Sequence, residues 1–299
     1  MGILCGLNYA VSTADGFKAK MRELGYIEGK NIIYDLQKTD FDVNAYRKAL
    51  KKFITEKADL IFVFPTEASQ EAKAATRGTN IPVVFAIANI EGTGLVKSVR
   101  EPGGNITGVR YPGPDIALRR FEIMRELMPQ VRRIWIPYQR GYPIIASQLE
   151  VLYPEASAAG IILEEAPADN AAELRSLLDA RDKSSDIGMD AILFLAEPLA
   201  VTPDAFAVMC KFAYEHKIPI AGALIMQGDC ESVFGVHVNN FNVGRQAAPL
   251  ADKILRGTPA GTIPVVTAES YFQFNYKAAQ RLGLKVPGSL LGIADEIIR

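Results

Sequence analysis

Asp59-Leu60-Ile61-Phe62-Val63-Phe64-Pro65, followed after one helical stretch by Asn80-Ile81-Pro82-Val83-Val84-Phe85-Ala86, decides how this chain folds. Each is an apolar run of strand length bounded by turn residues, with no polar alternation. A strand that is apolar on both sides is covered on both faces, which is the condition of a parallel sheet between helical layers. The same phrase returns as Asp190-Ala191-Ile192-Leu193-Phe194-Leu195-Ala196 and then Lys217-Ile218-Pro219-Ile220-Ala221-Gly222-Ala223. The repetition predicts an α/β fold of two similar, doubly wound parallel-sheet lobes.

Reading outward, strands are expected at 3–8 and 31–36, and helices at 14–24, 45–56 and 66–76, the first stopped by Gly25. In the second half the pattern restarts with a helix over 117–127 ended by Pro129, a strand over 133–137 and a helix over 144–159. A strand over 161–165 and helices over 171–180 and 203–216 follow. The remainder reads as a strand at 232–238, a helix at 243–256, a strand at 263–267 and a mainly helical tail from 272–282 onward. These pieces are too short for a third core and are expected to complete the two sheets. The lobes are therefore 1–112 plus 237–264 and 113–236 plus 265–299, and the chain crosses between them more than once. A cleft between two lobes is the default place for a ligand.

With 299 residues, 49% apolar and 22% charged, the chain has the composition of a folding protein and the length for two cores. Its 33 basic and 34 acidic side chains leave a net charge of -1, which offers no footprint for nucleic acid or an anionic membrane. The longest apolar runs, such as 60–64 and 191–196, fall far short of the roughly 20 residues that a membrane helix requires. Cys5 lies in the apolar Ile3-Leu4-Cys5-Gly6-Leu7 and reads as core; neither a basic nor a long apolar segment precedes it to suggest a lipid anchor. Cys210 and Cys230 allow one disulfide. The sequence opens without a signal peptide, which is consistent with a cytoplasmic protein or with a mature or trimmed form.

Catalytic patterns are missing from the sequence. His216 and His237 have no cysteine or carboxylate at metal-ligand spacing, and His216 suits a helix end, where a cation meets the dipole favourably. Neither Gly-x-Ser-x-Gly nor a P-loop occurs, Gly92-Thr93-Gly94 lacks a third glycine, and Pro102-Gly103-Gly104-Asn105 is turn chemistry. No catalytic residue, metal site or cofactor is expected. What remains is a set of polar residues where strands end, the place at which open α/β sheets bind ligands. Asn8 follows the first strand, Thr66 and Glu67 open a helix, and Ala88 and Asn89 follow the strand ending at Ala86. Unpaired N–H groups at such a helix start favour an anion, a carboxylate for example. In the second half Tyr138 and Tyr142, Glu197 and Asp229 take the corresponding positions, offering carboxylates and rings to an ammonium group or a flat ligand.

Glu91-Gly92-Thr93-Gly94-Leu95-Val96 and Pro102-Gly103-Gly104-Asn105-Ile106-Thr107-Gly108-Val109 resemble the substrate-binding proteins of ABC transporters, the family that includes tryptophan- and tyrosine-type binding proteins. Glu126-Leu127-Met128-Pro129, Asn242-Val243-Gly244-Arg245-Gln246-Ala247-Ala248, Lys253-Ile254-Leu255-Arg256-Gly257 and the stretch from Leu282-Gly283-Leu284-Lys285-Val286-Pro287 to Ala294-Asp295-Glu296 extend the likeness over nearly the whole chain. The resemblance implies a type I periplasmic-binding fold with three crossovers, closing by a hinge on an amino-acid-like ligand, an aromatic amino acid first. It implies that Thr66 and the backbone after Phe85 hold the ligand carboxylate, and that Asn239 also faces the ligand. Its implied setting is periplasmic or extracytoplasmic, its partners the small-molecule ligand and a membrane permease, with no nucleic acid, and its working form a monomer. The chain departs from the family at Asn89-Ile90-Glu91, where Ser-Asp-Pro is usual, and at Tyr138-Gln139-Arg140-Gly141-Tyr142-Pro143, where Asn-Pro is usual. A tyrosine or aspartate is also common where this chain has Asn239 or Asn240.

Two other readings share the fold class. The effector-binding core of a transcription regulator needs a DNA-binding segment ahead of the first strand, and an α/β enzyme would act in the same cleft with carboxylates alone. On the binding-protein reading, alanine at Thr66 or Glu197 is expected to weaken binding with little loss of stability.

Overall fold

The chain, described by a computed structural model over residues 1–299 apart from the side chain of Tyr9, begins with β1 (Gly2–Cys5), α1 (Ser12–Glu23) and β2 (Asp35–Lys38). It continues through α2 (Val43–Thr55), β3 (Ile61–Phe64), α3 (Thr66–Ala75), β4 (Val83–Ala88) and β5 (Ile106–Arg110). Next come α4 (Gly113–Leu127), β6 (Arg133–Gln139), α5 (Ile145–Ala158), β7 (Ile162–Ala168), α6 (Ala171–Asp182) and β8 (Ala191–Leu193). The last part runs α7 (Pro203–His216), β9 (Ile220–Gly222), β10 (Met226–Gln227), β11 (Cys230–Glu231), β12 (Phe234–Val238) and α8 (Asn240–Leu255). It ends with β13 (Val266–Thr267), β14 (Ser270–Asn275), α9 (Tyr276–Arg281), α10 (Gly288–Ile293) and β15 (Glu296–Ile298). These elements form two compact units, Met1–Pro112 with Val238–Glu269, and Gly113–His237 with Ser270–Arg299.

The first unit carries a sheet in the order β13-β5-β4-β3-β1-β2, and each of its neighbouring pairs is parallel. Every residue of β3 and β4 is buried, as their unbroken apolar sequence requires. Tyr46 and Phe53 of α2 and Ala68 and Ala72 of α3 pack with Leu4, Val63 and Phe85 on one face. On another part of the sheet Phe17 of α1 stacks on Phe62, with ring centroids 4.2 Å apart. Each such buried aromatic or branched side chain contributes about 1.5–3 kcal/mol. Helix α2 starts at Asp42, whose carboxylate accepts the N–H groups of Asn44 and Ala45 at 2.9 and 3.1 Å. Helices α1 and α8 meet almost backbone to backbone: a Cβ on Gly16 would stand 1.9 Å from the Phe241 carbonyl oxygen, and one on Gly244 2.0 Å from that of Thr13.

The second unit carries a sheet in the order β15-β14-β12-β9-β8-β6-β7, with parallel pairing at β6–β7, β6–β8, β8–β9, β9–β12 and β14–β15. Trp135, Ile192, Phe194, Phe206 and Met209 lie in its core. Arg120 of α4 is buried there too, its guanidinium donating to the carbonyls of Val236 and Phe194. A disulfide joins Cys210 of α7 to Cys230, pinning the β10–β11 hairpin to that helix, while Cys5 is a buried thiol.

Two local expectations are corrected. The tail from 272 is a strand first, because Phe272, Phe274 and their half-buried neighbour Gln273 alternate with the period of two that a half-covered strand demands. Residues 263–267 are strand only at Val266–Thr267, after a 3-10 turn at Ala260–Thr262. Pro102-Gly103-Gly104-Asn105 is a turn as expected, with Gly103 and Gly104 at positive φ, and leads into β5; the Asn105 side-chain amide donates to Thr76 Oγ1 and the Ile81 carbonyl at 3.0 and 2.6 Å.

Candidate functional site

In each sheet the strand order reverses at one place: β1 is flanked by β2 and β3, and β6 by β7 and β8. At such a reversal the two connections leave in opposite directions, opening a crevice beyond the strand C-termini. The residues after β1 and β3 stand at that reversal in the first unit, and those after β6 and β8 in the second.

In the first unit the chain leaves β1 through Gly6, whose N–H donates to the Phe64 carbonyl at 2.7 Å and whose carbonyl accepts the Tyr46 hydroxyl at 2.9 Å. A Cβ there would lie 2.9 Å from the Ala68 side chain, so the loop hugs the start of α3. Asn8 opens the 3-10 turn Asn8–Ala10, is exposed, and donates its backbone N–H to Asp40 at 3.3 Å. The Phe64–Pro65 peptide is cis, and α3 starts on Pro65 with no side-chain cap, so its first N–H groups are left to other acceptors. Thr66, 2% exposed, accepts the Asn89 N–H on its hydroxyl at 3.0 Å, leaving its own proton free to donate.

At the end of β4, which runs on to Ala88, the backbone is strained. Ile87 takes a φ of 49° at a register shift between Ala86 and Ala88, a conformation that costs a β-branched residue heavily and concentrates at functional sites. Ala88 is fully buried and its carbonyl accepts the Tyr111 N–H. Asn89 is 3% exposed, and its Oδ1 has no hydrogen-bond partner within the protein. Both carboxylate oxygens of Glu67 are likewise covered and unpartnered. The negative charge of Glu67, after burial itself, helps raise the Tyr46 phenol above its ordinary pKa. Arg110, at the end of β5, binds Glu91 and donates to Thr267 Oγ1 at 2.9 Å. Asn239 caps α8, its side chain accepting the Asn242 N–H at 3.0 Å.

In the second unit Glu197, 7% exposed, spans the crevice. It accepts the N–H groups of Gln139 at 3.0 Å, Leu199 at 2.9 Å and Ala200 at 2.6 Å. Burial raises its pKa in spite of those three donors. Gln148 of α5, fully buried, holds the same loop by exchanging hydrogen bonds with the N–H and carbonyl of Ala196 at 2.9 and 3.1 Å. Tyr138 donates to Glu165 at 2.6 Å, and burial with that carboxylate pushes its phenol pKa up. Tyr142 is half-buried in the turn that follows β6. Asp229 is exposed at the tip of the β10–β11 hairpin, beside Lys211, Tyr214 and Arg281.

The structure thus joins Thr66 to Asn89 by a hydrogen bond, with Ala88 just before Asn89 and Glu67 next along α3, and places Gln139 and Glu197 together. It sets Asp229 on the hairpin and Asn239 on a helix start. The expectation that alanine at Thr66 or Glu197 costs little stability is corrected: the Thr66 hydroxyl accepts the buried Asn89 N–H, and the Glu197 carboxylate accepts those of Gln139, Leu199 and Ala200. Gln148, Arg110 and Arg120 escaped the sequence reading: a polar residue inside an amphipathic helix or at a strand end carries no periodic signal of its burial. Among the described residues no group of three or more His, Cys, Asp or Glu could hold a metal ion.

Comparison with known proteins adds the wider relation. A family model described as ABC transporter substrate binding protein matches residues 9–298. A tyrosine-binding protein of Clostridioides difficile is 27% identical over 256 residues, covering 85% of this chain and 71% of its own length. A conserved domain protein from Vibrio cholerae superposes with a TM-score of 0.83 at 26% identity, over 99% of this chain and 97% of that one. A Streptococcus pneumoniae ABC domain in complex with L-Trp superposes with a TM-score of 0.82 at 23% identity, over 99% of both chains.

Proposed function

The chain belongs to the ABC transporter substrate binding protein family, and from that premise we propose that it is the extracytoplasmic component of an importer that captures an amino-acid-like ligand, an aromatic amino acid foremost. A protein of this kind carries its ligand unchanged to a membrane permease. The observation that carries the reading is the group of buried polar atoms beyond β3 and β4. There the Thr66 hydroxyl proton, the open first turn of α3 and the unpartnered Asn89 Oδ1 and Glu67 oxygens offer both donors and acceptors to a small zwitterion. The tyrosine-binding relative and the L-Trp-bound neighbour support an aromatic side chain. The Cys210–Cys230 disulfide supports an oxidising compartment, since such bonds are rare in the cytosol. Among the described residues no helix is long and apolar enough to cross a membrane.

On this reading Asn8, Thr66, Glu67, Ala88, Asn89 and Asn239 meet the ligand from the first unit, and Tyr138, Tyr142, Glu197 and Asp229 from the second. A ligand that touches both favours the closed arrangement by its differential affinity, and closure at a hinge is the signal to the permease. The working form is a monomer, and nucleic acid is not among its partners. Native mass spectrometry followed by denaturation, together with thermal shift against the amino acids, tests the reading. A released aromatic amino acid, or stabilisation by about 2.7 kcal/mol at a hundredfold excess over Kd, is the expected result. No shift with any amino acid overturns the ligand class, and turnover of a bound metabolite overturns the binding role.

A further inference from the structure

The sequence pattern allots an anion to the first unit and an ammonium group to the carboxylates of the second. The side chains point the other way. Glu197 is filled by three backbone N–H groups, and Asp229 is solvated on a hairpin. Glu67, by contrast, has both oxygens covered and bonded to nothing in the protein. A glutamate in the first turn of a helix gains from the dipole, more so when partly buried, but that gain is smaller than the cost of burying a bare carboxylate. Two nearby donors are spoken for: the Tyr46 hydroxyl donates to the Gly6 carbonyl, and the Asn89 N–H to Thr66, the residue before Glu67. Asn89, 3% exposed, adds Oδ1 as a further acceptor without a donor.

We propose that Glu67 and Asn89 form a cation subsite in the first unit that takes a primary ammonium group of the ligand. The two Glu67 oxygens and Asn89 Oδ1 make three acceptors, the number of N–H donors an ammonium carries. The carboxylate of the same ligand meets the Thr66 hydroxyl proton and the uncapped N–H groups of α3, so the first unit reads the whole zwitterion. This deepens the proposed function and rests on its reading of the site as a ligand site. It adds a requirement: the ligand must carry an ammonium group, and its deaminated analogue must be rejected.

Two measurements on the full chain test it. The first is urea unfolding of ligand-free wild type, Glu67→Gln and Glu71→Gln at pH 7. Glu71 lies one turn along α3, paired with Arg47, and serves as a control. A buried charge held for a ligand destabilises the empty protein, so Glu67→Gln is expected to raise the midpoint. An unchanged or lowered midpoint overturns the subsite, whatever the ligand is. The second is calorimetry with L-tyrosine, L-tryptophan and their deaminated acids. Binding of an amino acid that weakens about tenfold or more in Glu67→Gln but not in Glu71→Gln, with no binding of the acids, is the expected result. Equal affinity in both variants, or acids that bind as tightly, overturns it. If neither amino acid binds wild type, the aromatic reading fails by itself, and the amines tyramine and putrescine become the probes. Their binding through Glu67 supports the subsite, and its lack overturns it.

Discussion

The hydroxyl of Thr66 serves the loop first: it accepts the N–H of the almost fully buried Asn89, and only its remaining proton is available to a ligand. Thr66→Ala leaves that N–H unpaired and is expected to cost about 1–3 kcal/mol in urea unfolding as well as affinity. Thr66→Ser should restore both. A loss of affinity without loss of stability would make Thr66 a ligand contact alone. Glu197 is the stronger case. Glu197→Ala strands three N–H groups and is expected to cost more than Thr66→Ala, about 3 kcal/mol or more. Its pH dependence has a definite sign. Burial raises the folded pKa above the ordinary 4.5, so the protonated form is favoured in the fold. The stability this contributes is complete below 4.5 and is lost as pH rises through the raised folded value. Glu197→Gln should remove that slope from urea midpoints measured at several pH values, while lowering them all, because its amide nitrogen faces a donor. The location of Thr66 was legible as a strand–turn–helix junction, and that of Glu197 as a carboxylate after a strand. That one hydroxyl keeps a free proton while one carboxylate is saturated depends on partners such as Asn89 and Gln139, 23 and 58 residues away.

Among the helices, α1 and α8 pack closely enough that the fit is decided by missing side chains. Gly244→Ala would place its Cβ 2.0 Å from the Thr13 carbonyl oxygen, a backbone atom that cannot rotate aside. Intrinsic helix propensity alone favours alanine over glycine by about 1 kcal/mol, so the sign of the effect is diagnostic. A net loss of about 3 kcal/mol in thermal or urea unfolding is expected from overpacking. Gly292→Ala in α10, where a Cβ meets nothing within 4 Å, should be neutral or stabilising. If both variants behave alike, close approach is not what Gly244 provides. Element types were legible wherever the hydrophobic period was clear, as in the wholly apolar β3 and β4. The strand at Ser270–Asn275 was misread because Tyr271, Phe272 and Phe274 satisfy a helical and an alternating pattern over so short a span.

For the whole molecule, the division into units has a consequence for truncation. The first unit takes α8 and β13 from beyond residue 237, and α8 buries Val243, Ala247 and Ala248 there. A chain ending at His237 therefore lacks the helix that covers α1 and the strand that pairs with β5. It is expected to give no cooperative unfolding transition from the first unit, seen as amide hydrogens of β1 and β3 without protection. Protection in those strands would show that the unit folds without its returning segment. The sequence alone determined the α/β class, the repetition of one strand–helix–strand phrase and the strand ends at which polar residues gather. Those follow from periodicities of two to four residues and from local turn chemistry, which need no distant partner. The tertiary structure decided which carboxylate is spent and which is open, that Arg120 and Gln148 are buried, and that Gly16 and Gly244 face backbone. Each of those depends on groups brought within a few ångströms from far along the chain, and burial and hydrogen-bond satisfaction exist only once the sheets have closed.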